Sequence, residues 1–298
     1  MDKIVAVVGP TASGKTALAI EIAKKCGGEI ISCDSMQIYR KMNIGTAKPP
    51  QNERLDIPHH MIDIIEPNEE FSCMEYASQA HICIRDIIGR NKLPIFCGGT
   101  GLYLDSVLTH NKFVAYPNKI EPSIDLNLDD PYSELKKIDP ESAEKIHPNN
   151  IKRVTRALEI YYLTGKTKTE WDNESRTGNI YDPVIIGLDY KDRNILYDRI
   201  NQRVDMMVAG GLFEEVKPLM GILGKTSGQA IGYKELILSG NTDTAIDQIK
   251  LNTRHYAKRQ LTWFRRNKNI IWFFIDEYIN LVKMYEEIVN KLESLLTK

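Results

Sequence analysis

The sequence contains no long hydrophobic run. Its first apolar stretch, at residues 4–8, is short, and no stretch approaches the roughly 18 apolar residues that a membrane-spanning helix needs. The beginning of the chain also lacks the pattern of a secretory signal peptide, because this short stretch leads directly into a glycine-containing loop. We therefore expect a cytoplasmic protein with no membrane partner.

Cysteine is scarce, and its pattern predicts no disulfide or metal framework. The chain has 5 cysteines, an odd number, and they are scattered without C-x-x-C spacing. This usage favours free thiols in a reducing compartment. His59 and His60 are adjacent but lack further ligands at a suitable spacing, so a structural role is favoured over a metal site.

Net charge is almost absent as well. The chain carries 39 Lys and Arg against 40 Asp and Glu, for a formal net charge of −1. This balance argues against a protein that is basic overall, but a local basic surface is compatible with it. The length of 298 residues permits one elaborated domain or two modest ones.

The sequence does contain a phosphate-binding signature near its beginning. Residues 9–16 read GPTASGKT and match G-x-x-x-x-G-K-[ST] at every fixed position, between a strand pattern and a helix pattern. In such a loop backbone N–H groups surround phosphate oxygens, Lys15 adds a positive charge, and the Thr16 hydroxyl is available to Mg²⁺. The predicted phosphate-binding residues are Gly9, Pro10, Thr11, Ala12, Ser13, Gly14, Lys15 and Thr16.

Strand and helix patterns alternate through the first hundred residues, and this predicts an α/β fold with a P-loop NTPase-like parallel sheet. The alternation breaks at about residue 108, where helical segments begin to predominate, and it resumes near residue 181. We predict a P-loop core, with C-terminal helices, at residues 1–107 and 181–298. A mainly helical insertion is predicted at residues 108–180. The predicted core strands are 4–8, 29–32, 93–97, 183–188 and 269–275.

Polar residues follow two of these strands. Asp34 comes just after the second strand, and Thr100 follows the third strand behind two glycines. Ligands of parallel sheets lie beyond the carboxyl ends of the strands, so we expect Asp34 beside the phosphate loop. Three roles are open to Asp34: a Mg²⁺ ligand, a base acting on an acceptor, or a helix cap. Ser35 and Gln37 are suited to bonding the edge of a nucleic-acid base.

Two predicted helices carry a basic face. On the helix at 253–266 one half is basic and the other apolar, with no acidic residue in the stretch. A similar basic face occurs near residue 152, and two such helices favour a nucleic-acid substrate. Arg203 is a lone arginine, which becomes interesting only if the fold brings it near the phosphate site. The basic residues are Lys152, Arg153 and Arg156, then Arg254, His255, Lys258, Arg259, Arg265 and Arg266.

Further motifs complete a series along the chain. They include DSMQIYR at 34–40, GTAKP at 45–49, IPHHMID at 57–63, GGTGLY at 98–103, KRVTRALE at 152–159, INQRVDMM at 200–207 and TRHYAKRQLTWFRR at 253–266. With the phosphate loop, this series resembles the tRNA dimethylallyltransferase family, also called tRNA isopentenyltransferases. The resemblance covers nearly the whole chain. It implies transfer of a dimethylallyl group from dimethylallyl diphosphate to N6 of the adenosine that follows the anticodon, with Mg²⁺ as cofactor and a monomeric enzyme.

The resemblance also implies roles for residues at matching positions. Asp34 corresponds to the general base at N6, Thr100 to the threonine at the bridging oxygen of the diphosphate, and Arg203 to a diphosphate-binding arginine. Residues 109–131 depart from the family pattern and are shorter, so the tRNA contact usually found there is not assigned. The implied tRNA contacts are Asp34, Ser35, Met36, Gln37, Thr100, Lys152, Arg153, Val154, Thr155, Arg156, Arg254 and Lys258.

Two other classes of function compete with this interpretation. A P-loop small-molecule kinase would use ATP, with Asp34 as metal ligand or base, but the basic helices count against it. A non-catalytic nucleic-acid-binding module would keep the loop without the chemistry, and the combination of Asp34, Thr100 and Arg203 argues against that.

Overall fold

The computed structural model describes residues 1–111 and 130–297. The chain forms two compact units, one of Met1–Leu108 with Tyr181–Lys298 and one of Thr109–Ile180. Most of the atypical stretch at 109–131 lies outside the described residues. No helix in the described ranges is long and apolar enough to cross a membrane.

The larger unit is built on a six-stranded sheet in the order β3-β2-β4-β1-β7-β8, and all neighbouring strands are parallel. The α/β fold class and the parallel sheet predicted from the sequence are confirmed. The strands of the described chain are β1 (Lys3–Val8), β2 (Gly28–Ser32), β3 (His59–His60), β4 (Leu93–Gly98), β5 (Thr109–Asn111), β6 (Arg176–Asn179), β7 (Asp182–Asp189) and β8 (Ile271–Phe274).

Helices follow the strands of the larger unit and make up most of the described part of the smaller one. The α-helices are α1 (Lys15–Cys26), α2 (Cys73–Gly89), α3 (Gly101–Leu108), α4 (Pro131–Ile138), α5 (Pro140–Lys145), α6 (Ile151–Thr164), α7 (Lys168–Ser175), α8 (Arg193–Ala209), α9 (Leu212–Val216), α10 (Tyr233–Ser239), α11 (Asp243–Phe264) and α12 (Leu281–Leu296). The basic helix predicted at 253–266 is the second half of the 22-residue α11, and it ends two residues earlier than expected.

The centre of the sheet is buried because β1 lies between β4 and β7. Every residue from 4 to 8 is at most 3% exposed, and such continuous apolar strands are typical of parallel sheets covered on both faces. Val5 pairs in register with Ile95 and with Val184. On one face the sheet packs against apolar residues of α1 and α12, such as Leu18 and Ile288.

The carboxyl ends of β1, β2 and β4 meet at one edge of this sheet, and the loops that follow are joined by backbone hydrogen bonds. Cys33 N donates to Cys97 O at 2.8 Å, and Thr100 N donates to Cys33 O at 3.0 Å. The phosphate loop follows β1 at the same edge. The topology therefore brings together residues that are far apart in sequence, as expected for parallel sheets.

Two helices at this edge are fixed by a buried carboxylate. Asp189 ends β7 and is 1% exposed. It accepts hydrogen bonds from Arg193 at 2.7 and 3.0 Å and from Arg265 at 2.9 Å. Arg193 begins α8, and Arg265 caps α11. One carboxylate thus holds the start of one helix and the end of the other.

The smaller unit has its own core. Its centre is formed by apolar residues of α4 and α6, among them Leu135 and Leu158. Asp139 caps α5 and accepts a hydrogen bond from Thr169 Oγ1 at 2.6 Å, which ties α5 to α7. The strands β5 and β6 pair antiparallel.

We predict that Asp189→Ala lowers the free energy of unfolding by roughly 2–3 kcal/mol, because both guanidinium groups and the N–H of Tyr190 lose an acceptor. The midpoint of denaturant unfolding measures the change. Glu277→Ala is the matched control: its exposed pair with Lys191 is worth at most about 1 kcal/mol. Equal midpoints for the two variants would contradict the anchoring role of Asp189.

Candidate active site

The phosphate loop has the backbone geometry that its glycines permit. Gly9 and Gly14 have φ of 145° and 77°, values that L side chains rarely adopt. A Cβ at Gly9 would lie 2.3 Å from Leu188 O, so the loop also runs against β7. Ser13 Oγ is buried and has no hydrogen-bond partner among the described residues. A buried hydroxyl without a partner is a donor left for a ligand.

Lys15 points into the loop. Its Nζ donates to Pro10 O at 2.7 Å. Burial lowers the pKa of Lys15 from 10.5 to about 8; Cys97 and Asp34 oppose this shift, and Arg203 adds to it. A poorly solvated ammonium of this kind gains strongly from an anionic ligand, because the ligand supplies the charge compensation that water does not.

Thr16 is the residue next to the loop whose side chain could ligate a metal ion. Thr16 lies at the second position of α1, and the neighbouring strand ends in Cys97 and glycines rather than in a carboxylate. Burial raises the pKa of Cys97 to about 11. The described residues contain no group of three His, Cys, Asp or Glu able to hold a metal. Mg²⁺ often takes few protein ligands and several phosphate oxygens and waters, which suits the Thr16 hydroxyl.

Asp34 lies before a turn at residues 35–38 and not at the start of a helix, so the helix-cap role considered from the sequence is not observed. Its Oδ1 accepts a hydrogen bond from Met36 N at 2.9 Å within this turn. Among the described residues none donates a hydrogen bond to Oδ2, so this oxygen is available to a ligand. Asp34 is also close enough to oppose the lowering of the pKa values of Lys15 and Arg203. The fold therefore brings these three groups together.

Thr100 is tied to the segment that follows β2. Ser35 N donates to Thr100 Oγ1 at 3.0 Å, and the Thr100 hydroxyl lies 3.4 Å from Ser35 Oγ. Gln37 is held as well: it accepts from Ser32 Oγ at 2.9 Å, and its Nε2 donates to Thr46 O at 3.2 Å. The amide of Gln37 thus shapes the wall of the site through hydrogen bonds inside the protein.

Arg203 lies on α8 facing the same site. It is half-buried and makes no hydrogen bond or ion pair with the described part of the chain. Burial lowers the pKa of its guanidinium. Arg199, one turn earlier, donates through Nε to Ala12 O at 3.2 Å. Arg199 was not predicted as a site residue, although its spacing of four residues from Arg203 places both on one helix face.

The basic half of α11 is only partly free. Arg254 donates to Asn201 Oδ1 at 2.7 Å, Arg265 pairs with Asp189, and Arg266 stacks on the Trp263 ring at 4.0 Å. These three arginines of the predicted basic face therefore interact with other residues of the protein, whereas Lys258 remains exposed. The other side of the helix carries Tyr256 and Gln260, which the sequence analysis did not assign to the site.

A cleft of about 770 Å³ in the larger unit is lined by most of these groups. The strand ends contribute the phosphate loop and Asp34, while the helices contribute polar side chains from α8 and α11. Thr100 joins this site through its bond to Ser35, which lines the cleft. The residues that line the cleft include Lys15, Asp34, Arg199, Arg203, Tyr256 and Gln260.

The predicted tRNA contacts of the insertion lie on α6. Lys152 and Arg153 are exposed, and Arg156 forms an ion pair with Glu159 at 3.1 Å. Val154 differs from the expectation: it is 0% exposed and belongs to the core of the smaller unit. Its position one turn before Leu158 places it on the apolar face of the helix, so its side chain cannot reach a ligand.

Comparison with known proteins identifies the family. The model of a family described as IPP transferase matches residues 37–267, and a second model, isopentenyl transferase, matches residues 2–63. The chain belongs to the IPP transferase family. The family resemblance inferred from the sequence motifs is thereby confirmed.

Relatives of this IPP transferase family member match over nearly their whole length. A tRNA dimethylallyltransferase of Caldanaerobacter subterraneus subsp. tengcongensis is 48% identical over 302 residues, covering 96% of this chain and 95% of that protein. The crystal structure of a tRNA isopentenylpyrophosphate transferase from Bacillus halodurans is 44% identical, with 100% and 97% coverage and a TM-score of 0.74. A eukaryotic dimethylallyltransferase seen acting on tRNA is 32% identical, with 99% and 80% coverage and a TM-score of 0.84.

We predict that Gly9→Ala weakens binding of inorganic diphosphate roughly tenfold or more, because a side chain there costs about 1–3 kcal/mol of backbone strain in addition to its clash with Leu188 O. Titration calorimetry measures the affinity. Gly89→Ala is the control, since nothing lies within 4 Å of the added Cβ. If both variants bind diphosphate equally well, the loop is not the anion site.

Proposed function

We propose that this chain transfers a dimethylallyl group from dimethylallyl diphosphate to the exocyclic N6 of the adenosine on the 3′ side of the anticodon in tRNA, releasing diphosphate. The observation that carries the proposal is the shared cleft of Lys15, Asp34 and Arg203. It holds anion-binding groups and one carboxylate at the same strand edge. The chain is 48% identical to a protein named tRNA dimethylallyltransferase.

In this reaction the phosphate loop binds diphosphate, the leaving group. Its N–H groups and Lys15 lie where negative charge develops as the allylic C–O bond breaks, and Arg203 approaches from α8 without a partner of its own among the described residues. Donors fixed before the reaction stabilise developing charge effectively because they need no reorganisation. Thr100 is assigned to the bridging oxygen of the diphosphate.

Asp34 is the base. The lone pair of N6 is delocalised into the adenine ring, so N6 is a weak nucleophile unless its proton is removed as the C–N bond forms. Asp34 Oδ1 is fixed by Met36 N, and this contact leaves Oδ2 to accept the proton. The carboxylate thus has one oxygen for orientation and one for chemistry.

The cofactor that we propose is Mg²⁺. Thr16 would hold it through its hydroxyl together with diphosphate oxygens, and the bound ion supplies positive charge to the leaving group. The protein side of this assignment rests on the position of Thr16 at the start of α1, beside the phosphate loop.

The acceptor is the anticodon stem-loop of a tRNA. We assign its contacts to Ser35 and Met36 in the cleft, to Lys258 on α11, and to Lys152 and Arg153 in the insertion at 108–180. The target adenosine must leave its stack, at a cost of a few kcal/mol, and an anticodon loop is already partly open. We propose that the enzyme acts as a cytoplasmic monomer, since the lining of the cleft comes from one unit of one chain.

The kinase alternative has no support. No relative reported above is a kinase, and β4 ends in Cys97 and Gly98 rather than in a metal-binding aspartate. A non-catalytic nucleic-acid-binding module would not need Lys15, Asp34 and Arg203 to line the same cleft.

Transfer of label tests the function. We expect label to enter unmodified tRNA from radiolabelled dimethylallyl diphosphate and not from γ-labelled ATP. Asp34→Asn keeps the oxygen that bonds Met36 N but has no basicity, so transfer should fall by about 10²–10⁴-fold while tRNA binding persists. Asp56→Asn, in a loop that does not line the cleft, is the control. Label from ATP alone would overturn the function, and undiminished transfer by Asp34→Asn would rule out this base.

The pKa of Lys15 predicts a pH dependence of substrate capture. Below about pH 8 the free enzyme carries the ammonium that binds diphosphate, and above it the amine is neutral. We therefore expect kcat/KM for dimethylallyl diphosphate to fall as the pH rises through about 8. The decline in kcat should come at a higher pH, because bound diphosphate favours the ammonium. Rates measured at saturating tRNA test this, and identical pH profiles for both parameters would contradict it.

A further inference from the structure

Gln260 is a buried polar side chain with both ends of its amide engaged. It lies on α11 and is 5% exposed. Its Oε1 accepts from Thr11 N at 2.9 Å, and its Nε2 donates to Gly99 O at 3.1 Å. The first partner belongs to the phosphate loop after β1, and the second belongs to the loop after β4. One side chain therefore joins two loops that come from different strands.

The second loop leads directly to the groups assigned to the acceptor side. Thr100 follows Gly99, and its Oγ1 accepts from Ser35 N at 3.0 Å. Ser35 is next to Asp34, whose Oδ1 is fixed by Met36 N. Hydrogen bonds at Gln260 and Thr100, joined by the Gly99–Thr100 peptide bond, thus connect the phosphate loop to the segment that carries the carboxylate.

The residues around Gln260 are closely packed. A Cβ at Gly99 would lie 1.8 Å from Gln260 Nε2, so the loop approaches the helix as closely as a glycine allows. The same loop also approaches the next turn of α11 closely, since a Cβ at Gly101 would lie 2.1 Å from Trp263 Cδ1. Close packing of this kind transmits small displacements because the interior has few voids to absorb them.

The chemistry of the amide suits this place. The backbone N–H of Thr11 needs an acceptor and the C=O of Gly99 needs a donor, and a side-chain amide offers both at one planar end without charge. Methionine would leave both backbone groups without a partner, at a cost for each buried group. A glutamate would keep the acceptor, lose the donor and place a negative charge beside the anion site.

We propose that Gln260 is a positioning residue of the transfer reaction, which fixes the spacing between the diphosphate cradle and the Thr100–Asp34 side of the cleft. The proposal rests on the function proposed above. Gln260 does not take part in bond making. It holds the leaving group and the base in the relative position that the displacement needs, and a misplacement of about 1 Å is enough to cost about 100-fold in rate.

The test compares Gln260→Met with Gln248→Met, the same exchange at an exposed position of the same helix whose amide bonds Asn252. We expect Gln260→Met to lower the single-turnover rate at saturating substrates by roughly 100-fold, and the affinity for inorganic diphosphate several-fold. The tRNA affinity should equal that of the control. A merely structural role would instead lower the thermal midpoint and leave the single-turnover rate of the folded fraction unchanged, and this result would overturn the proposal.

A double-mutant cycle examines the same contact from its other side. Gly99→Ala alone should slow transfer strongly because its Cβ meets Gln260 Nε2, whereas in a Gln260→Ala background the added methyl has room and should cost little more. Additive losses would overturn the proposal. Absence of transfer by the unaltered enzyme would overturn the proposed function instead, while diphosphate affinities of the variants would still report on Gln260.

Discussion

The parallel pairing of β1 with β4 and β7 is the constraint on which the rest of the molecule depends. Because these strands run in one direction and are buried along their length, their carboxyl ends have to meet at one edge. The loops that leave this edge carry residues 9–16, Asp34 and Thr100, to which the proposed function assigns diphosphate binding and catalysis. The helices that return to it are held by the carboxylate of Asp189. The cleft is therefore a result of strand order more than of any single contact.

The site combines groups whose electrostatic states depend on one another. Burial makes the charged form of Lys15 unfavourable, and the nearby Arg203 makes it less favourable still. Asp34 stabilises the charged forms of both Lys15 and Arg203. Two cations facing one carboxylate leave a surplus of positive charge within a buried region. An anionic ligand compensates this surplus, as the diphosphate of the proposed reaction would, and a neutral metabolite does not.

The sequence predicted the parallel sheet and the residues that occupy fixed places in short motifs, because strand periodicity and the glycine loop are local signals. It could not show that Arg254 and Arg265 turn to partners within the protein, since those partners come from α8 and β7. Gln260 was missed for the same reason: its two hydrogen bonds join it to residues more than 150 positions away. Val154 was misplaced because the family motif was carried over as a whole run, although its spacing of four residues from Leu158 places it on the apolar face of α6.

Lys15 donates a hydrogen bond to Pro10 O, so its ammonium already has an oxygen acceptor within its own loop. With the ammonium held by a backbone carbonyl of the same loop, the Lys15 side chain is already ordered in the cleft, which lowers the cost of ordering it on binding. The same carbonyl competes for the ammonium once the prenyl group has left. Under the proposed function, the group that captures the leaving diphosphate therefore also has an alternative partner ready when the product departs.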